Sequence, residues 1–431
     1  MFKKQKVLVL GAYGLIGASV CRHLSSVGFD VVGAGRNGKT ARSVLPDLEW
    51  KIVDLSKLVA SSDWHDLLTD VSIVVNCAGA LQDSGKDDLM AIHGRMVTAL
   101  VEAIAAKPQV KLIQISAVGA TPEASTYFMK TKALGDEAIR KSEIDWWIIK
   151  PGLVISANSY GGTALLRMAA ATPLIQPVAF QTAKVQSVSV DDLASVIGKL
   201  ALGQLGGPRE FDLVEFEEHE IKGLVLSVRK WLGFSPPLMM LPIPTIVAKG
   251  MGKAADMLGW LGWRSPLRST AVKVLSEDVV GTHRTDLEIT SLEESLAATP
   301  VRVQDRWYAR MAFLFPFALA TLFFYWLLSG LIGFLSMEEA AKHLTTIGWS
   351  SKTATAAVCF WSVVDVVLAG MLMVRRAAKL ACGAMVVVAL VYLLSGLIFA
   401  PHLLIDPLGP LLKILPGLFL PLFVRVMLDD R

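Results

Sequence analysis

The sequence is short of paired cysteines, of dense like-charge clusters and, past its middle, of charge altogether. Its four cysteines, Cys21, Cys77, Cys359 and Cys382, are scattered, and two of them lie in apolar runs. None stands at metal-ligand spacing from another, so neither a zinc site nor a disulfide scaffold is expected. They read as small buried hydrophobes in a reducing compartment. The net charge of +4 comes with no Lys/Arg cluster dense enough to follow a phosphate backbone, which excludes a nucleic-acid partner. Only 19% of residues are charged and 53% are hydrophobic, a balance that points to membrane segments. The imbalance is uneven. Up to about Gln304 the texture is globular; beyond it, charges nearly vanish from long stretches. FKKQK at the start leads into a short VLVL run that glycine ends, unlike a secretory signal, so the first domain is expected in the cytoplasm.

What is present starts with KVLVL, the texture of a buried parallel strand. It breaks into GAYGLIG, an apolar-periodic segment and a second strand, DVVGAGR. Strand, glycine turn, helix, strand is the context of a dinucleotide-binding turn, whose amides meet a pyrophosphate at a helix N-terminus. Gly11, Ala12, Tyr13, Gly14, Leu15, Ile16 and Gly17 are therefore the first candidate cofactor residues. The residue after the second strand selects the cofactor: an acid holds the ribose of NAD, whereas an arginine accommodates the 2′-phosphate of NADP. Arg36 stands there, with Lys39 and Arg42 nearby and no acid. NADP(H) is favoured over NAD(H).

The Gly11-x-x-Gly14-x-x-Gly17 spacing resembles the extended and atypical short-chain dehydrogenase/reductases. That resemblance covers roughly residues 5 to 200 and implies an α/β doubly wound Rossmann domain over 1–200. It implies further cofactor contacts: Asp54 and Leu55 in VDL beside the adenine; Cys77, Ala78 and Gly79 in VVNCAG; and Pro151 in KPG, where Lys150 replaces the family's arginine. It also implies catalytic roles for Ser116, ending LIQISAVGA, and for Lys132 in TKALGDE. The family's lysine also binds the nicotinamide ribose and lowers the pKa of its partner tyrosine, so Lys132 is a cofactor-binding candidate too. The family pairs its lysine with a tyrosine four residues earlier, and here that position is Phe128. Tyr127 is one place too early. Residues four apart on a helix sit about 40° from each other and residues five apart about 140°. A helix already running at Tyr127 turns its hydroxyl away from Lys132; a helix starting after Phe128 lets a loop deliver it. The domain also resembles the accessory Rossmann subunit of respiratory complex I, which implies a cofactor-holding role without turnover.

From 201 to 304 a small substrate or lid lobe and an amphipathic connection are expected. Glu215, Glu217, Glu218 and Glu220 read as a solvated loop. SPPLMMLPIPTIVAKGMGKAADMLGWLGWRSPLR is apolar, proline-broken and dotted with cations, and suits either a lid or the membrane interface. Over 305–431 an all-α four-helix transmembrane bundle is expected, with spans near 311–335, 354–374, 380–400 and 407–424. Arg302, Arg306, Arg310, the turn Arg375–Arg376–Lys379, Arg425 and Arg431 would then share one side, placing the protein in the cytoplasmic (inner) membrane with the nucleotide domain inside. YWLLSGLIGF (Tyr325–Phe334) and YLLSGLIF (Tyr392–Phe399) echo each other as a duplicated hairpin. Asp365 and Lys413 fall at similar depth, which suggests an ion pair or shared proton site. The whole arrangement resembles the DoxX-like reductase fusions of bacteria, a resemblance that implies quinone-linked redox work.

Two functions remain open from the sequence. One is a membrane-anchored NAD(P)H oxidoreductase acting on a lipophilic carbonyl or quinone-like molecule. The other is a cofactor-bound scaffold or sensor that assembles with membrane partners.

Overall fold

A computed structural model describes residues 4–81, 88–159, 161–263, 265, 267–407 and 409–429; Arg431 of the expected basic end lies outside them. The chain forms two compact units, Met1–Asp256 with Ser265–Ala309, and Met257–Arg264 with Arg310–Arg431. Thus most of the expected middle segment folds with the first unit, while WLGW leaves it for the second.

The first unit is built on strands β1 (Lys6–Leu10), β2 (Asp30–Gly35), β3 (Glu49–Ile52), β4 (Val71–Asn76), β5 (Lys111–Ile115) and β6 (Asp145–Pro151). Short strands follow: β7 (Leu153–Ile155), β8 (Ile175–Ala179), β9 (Lys184–Val185), β10 (Ser187–Ser189), β11 (Glu210–Leu213), β12 (His219–Glu220) and β13 (Met239–Ile243). Seven strands make one parallel sheet in the order β11-β6-β5-β4-β1-β2-β3. The apolar runs of β1 and β4 are buried on both faces, as a helix-covered parallel sheet requires. On one face lie α1 (Leu15–Ser26) and, later in the chain, a helix over Val190–Ala201; α2 (Gly38–Val44) follows β2, and α3 (Met96–Ala105) packs on the opposite face. α4 (Tyr127–Arg140) follows β5, and α5 (Gly161–Ala170) precedes α6 (Val190–Ala201). This is the expected doubly wound α/β domain.

The small lobe gathers α5, α7 (Ile221–Trp231), the β8–β13 pair and, past α8 (Thr245–Trp260) and α9 (Ser269–Leu275), α10 (Leu292–Ala297) around Leu224 and Leu292. One expectation fails here. Glu215 is not a solvated loop acid but is buried, because its carboxylate accepts from the Ser187 amide (2.8 Å), the Ser187 hydroxyl (2.5 Å) and the Leu292 amide (2.7 Å). Three donors satisfy a charge that burial alone would penalise.

The second unit is helical: α11 (Val303–Leu335, within it from Arg310), α12 (Met337–Thr346), α13 (Ser351–Met373), α14 (Arg375–Phe399) and α15 (Ile414–Met427). Among the described residues three helices, α11, α13 and α14, are long and apolar enough to cross a membrane. The expected fourth span is shorter as a helix: α15 has 14 residues, about 21 Å at 1.5 Å per residue, against about 30 Å of hydrocarbon. Pro407 and Pro410 precede it in a stretch of turns, where proline cannot supply a helical amide. Arg425 donates to the Lys379 carbonyl (2.7 Å), Arg375 donates to the Leu428 carbonyl (2.8 Å), and Lys379 pairs with Asp429. The C-terminal end of α15 therefore lies at the N-terminal end of α14. Trp263 closes the same end, donating its indole N–H to the Met373 carbonyl (2.6 Å) while Leu261 accepts from the Arg375 amide (3.0 Å).

Asp365 is buried, but its expected pairing with Lys413 does not occur: Lys413 is exposed. The carboxylate accepts instead from the Ser329 hydroxyl (2.7 Å) and the Tyr392 hydroxyl (3.0 Å), each from one copy of the repeated motif. Asp365→Leu would strand both hydroxyls at a cost of about 1–3 kcal/mol. A melting temperature lowered by a few degrees in lipid nanodiscs is expected, with Asp365→Asn close to wild type because its amide oxygen accepts from one hydroxyl and its NH2 donates to the oxygen of the other. An Asn variant as unstable as the Leu variant would show that the carboxylate itself matters.

Candidate functional site

The strand order reverses between β1 and β4, and ligands of such sheets lie beyond the carboxyl ends of the strands at that point. Gly11 turns the chain there with φ +70°, a conformation side chains resist. A Cβ on Gly11 would come 2.9 Å from the Ala78 Cα, so the two crevice walls touch through glycine. A Cβ on Gly17 would run into the Gly11 carbonyl oxygen and come 2.9 Å from the Ala12 Cα. The turn thus leaves a cradle that a side chain would fill. Gly14 caps α1 without a side chain, and Leu15 and Ile16 open the helix, whose first amides point toward the crevice. Ala12 is buried, and Tyr13 lies against Gly35 with its ring 6.0 Å from that of Trp50.

Arg36 follows β2 and is exposed. Beside it Asn37 caps α2 by accepting from the Lys39 and Thr40 amides (3.1 and 3.2 Å); Lys39 lies in the first turn, and Arg42, in the last turn, reaches back to within 3.6 Å of where a Gly38 Cβ would stand. Asp54 holds its own turn, accepting from the Ser56 amide (3.3 Å) and hydroxyl (2.8 Å), and Leu55 is buried behind it. The Cys77 amide donates to the Leu10 carbonyl (3.0 Å), the Ala78 amide to the Asn76 side chain (3.1 Å), and burial pushes the Cys77 thiol well up. Pro151 ends β6 and accepts from the Val118 amide (3.3 Å) in the loop that carries Ser116, while Lys150 pairs with Glu210 (2.6 Å).

The other candidate residues come together from three elements. Ser116 leaves β5, its amide donating to the Ile149 carbonyl (2.8 Å) and its hydroxyl bonded to the buried Asp136 carboxylate. Lys132, one α4 turn before Asp136, donates to the Ile115 carbonyl (3.0 Å). A Cβ on Gly79 would sit 4.0 Å from the Lys132 Nζ and 3.3 Å from the His93 Nε2. His93 Nε2 accepts from the Ala80 amide (3.3 Å), so Nδ1 carries the proton and donates to the Thr131 hydroxyl (3.0 Å). Burial, reinforced by Lys132, pushes His93 down to about 2 and keeps it neutral. Burial also pushes Lys132 down and Asp136 up, since each loses water around its charged form.

Tyr127 is not brought to this group. α4 already runs at Tyr127, with Thr126 capping it by accepting from the Met129 amide (3.3 Å), and Tyr127 is 49% exposed. Phe128 stands beside Lys132 instead, its ring centroid 5.7 Å from Nζ and 5.5 Å from the His93 ring. Ser116, Lys132, Cys77 and Gly79 do converge. Sequence reasoning missed His93 and Asp136. Asp136 was legible as the i+4 neighbour of Lys132; His93, in a π-helical turn over Met90–Arg95, carried no local signal.

Residues 11–201 match the model of the NAD(P)H-binding family, and residues 323–422 match that of the DoxX-like family. The chain joins an NAD(P)H-binding domain to a DoxX-like domain. The chain is similar to a ceramide reductase of Caulobacter vibrioides, 22% identical over 244 residues, 57% of this chain and 76% of that protein. It is also similar to the UDP-glucose 4-epimerase of Thermotoga maritima in complex with UDP-glucose (14% identity, TM-score 0.49, 68% of this chain and 97% of that one). A second UDP-glucose 4-epimerase, from Thermus thermophilus in complex with NAD, is 16% identical (TM-score 0.45, 63% and 98% covered). The nicotinamide dinucleotide class of cofactor and the helical membrane-type domain expected from the sequence both stand.

Proposed function

We propose that this chain is a membrane-anchored NADP(H)-dependent oxidoreductase that reduces a carbonyl on a lipophilic molecule. The observation that carries the reading is the buried Lys132 between Ser116 and Gly79, beyond the strand ends that the glycine turn serves. The glycine turn through Gly17 would hold the pyrophosphate, and Cys77, Ala78 and Gly79 would border the nicotinamide side. A bound reduced nicotinamide supplies a hydride to the carbonyl carbon. Lys132 then holds the carbonyl oxygen and gives it a proton, which an ammonium of lowered pKa does more readily than a free lysine. Ser116 orients that oxygen, and Asp136 fixes the serine hydroxyl. Solvent would then restore the Lys132 proton.

NADP(H) over NAD(H) rests on Arg36 just before α2 and on Lys39 and Arg42 within it. Arg36→Asp is expected to weaken NADPH binding about tenfold or more, one charge-assisted contact being worth about 1.5–3 kcal/mol, with little loss for NADH. Fluorescence titration with both nucleotides checks it. A lipid substrate is supported by the membrane domain and by the similarity to the Caulobacter ceramide reductase; a quinone rests on the DoxX resemblance alone. Arg375, Lys379 and Arg425 at one end of the helices support the cytoplasmic face of an inner membrane as the site of the nucleotide domain. The displaced Tyr127 favours a second reading, a cofactor-bound scaffold without turnover.

The test uses the full chain in nanodiscs with NADPH and a membrane-lipid extract that includes quinones. Absorbance loss that needs both extract and Lys132 supports the reductase, and fractionation then separates carbonyl lipids from quinones. Fluorescence change without oxidation supports the scaffold.

A further inference from the structure

The small lobe carries an apolar surface that its own unit leaves uncovered. In β8 and β13, Met239 pairs with Ile175 and Leu241 with Pro177. Side chains alternate between the faces of a strand. The inward set is Gln176, Val178 and Met240, all packed into the lobe. The outward set includes Ile175, Met239 and Leu241, each more than 40% exposed. A ribbon facing water carries polar residues on its outer face; the outer face of this one is apolar.

The next element repeats the anomaly. The buried residues of α8 are Ala248, Gly252 and Ala255, one helical stripe of small side chains. Gly252 lies close enough to α9 that a Cβ would be 3.0 Å from the Ser269 Cα. Ile246, on the face opposite that stripe, is 80% exposed, and Met251, at the edge of the stripe, is 49% exposed. An ordinary surface helix buries its large apolar face. Here the pattern is inverted, and Leu238, 81% exposed, extends the patch from the strand side. Exposed large apolar side chains gathered on successive elements in this way mark an interaction site.

Charge decides the occupant. Lys249 and Lys253 are exposed among these apolar residues, one turn apart, and the acid of α8, Asp256, is bonded to Arg268 (3.3 Å). A protein partner or a second copy would bury uncompensated ammonium groups unless it brought carboxylates to them. Lipid requires no such match: apolar side chains enter the acyl boundary while lysines snorkel to anionic headgroups. We propose that the outer face of the β8–β13 ribbon and α8 dips into the headgroup–acyl boundary of the bilayer that holds the span-length helices of the same chain. The inference rests on the membrane-anchored reading and gives the lipophilic substrate its route, along the lobe's own lipid-immersed face.

A photo-crosslinking side chain placed at Ile246, and separately at Leu238, tests this in the full chain in nanodiscs of phosphatidylcholine and phosphatidylglycerol. Phe360, 59% exposed on α13, serves as the lipid-facing control, and Val59, on the nucleotide domain, as the water-facing one. Lipid adducts at Ile246 and Leu238 near the Phe360 yield, and about tenfold above Val59, are expected, since a face buried in the boundary meets acyl chains continuously. Yields no higher than at Val59, with Phe360 adducts intact, overturn the inference and leave the anchored reading standing. Chain-to-chain adducts at Ile246 overturn it in favour of a second copy. Failure at Phe360 as well overturns both readings. NADPH fluorescence, read on every variant, confirms that the nucleotide domain is folded.

Discussion

Lys132→Met is expected to reduce turnover by about 10²–10⁴-fold while the nucleotide stays bound, the range that loss of a positioned acid commonly costs. Methionine nearly matches the lysine stem in size, so the cavity beneath α4 stays filled. What disappears is the donor to the Ile115 carbonyl and the cation near Asp136. Asp136, already pushed up by burial, would rise further and keep its hydrogen bond to Ser116 in the neutral form. The fold should therefore survive, and a separate NADPH titration reads binding apart from chemistry. Because burial lowers the Lys132 pKa, wild-type turnover should fall with rising pH earlier than an ordinary lysine would dictate. The variant's residual rate should lack that step. Tyr127→Phe should change turnover less than about threefold, since an exposed hydroxyl outside the site supplies no proton transfer. Lost turnover in Tyr127→Phe with Lys132→Met unaffected would reverse the assignment.

The parts legible in the sequence were those whose cause is local. KVLVL and GAYGLIG specify strand and turn within one β–α unit, and the sheet order then places Gly11 beside Ala78 without further information. The start of α4 was also local: Thr126 caps it, which places Tyr127 on the helix and answers the question that Phe128 raised. Glu215 was not legible, because its donors come from Ser187 and Leu292, 28 and 77 residues away. His93 is of the same kind, made a site residue by Ala80 and Thr131 on other elements. In the helical unit, hydropathy located α11, α13 and α14 because one apolar segment decides each. It overstated the last segment, since apolarity says nothing about the backbone that Pro407 and Pro410 interrupt. Depth arithmetic paired Asp365 with Lys413, but depth is not azimuth. The duplicated motif was the better guide, for it supplies Ser329 and Tyr392.

Gly17→Val is expected to abolish nucleotide binding altogether. The atoms that a side chain would meet are backbone: the Gly11 carbonyl oxygen, the Gly11 carbonyl carbon at 3.0 Å and the Ala12 Cα at 2.9 Å. None can rotate aside as a flexible side chain would. The turn cannot retreat either, because the Gly11 amide donates to the Ala34 carbonyl (3.0 Å) and Ala12 is fully buried. Relief must come from moving the N-terminus of α1 off the end of β1, which withdraws the amides that would meet a pyrophosphate. A loss of about 2.7 kcal/mol of those contacts is already a hundredfold in affinity. Gly223→Ala is the matched control, since a Cβ at Gly223, in α7, meets nothing within 4 Å and should leave binding unchanged. Wild-type NADPH affinity in Gly17→Val would mean that the nucleotide does not use the β1–α1 turn, and the placement of Lys132 beside a nicotinamide would fall with it.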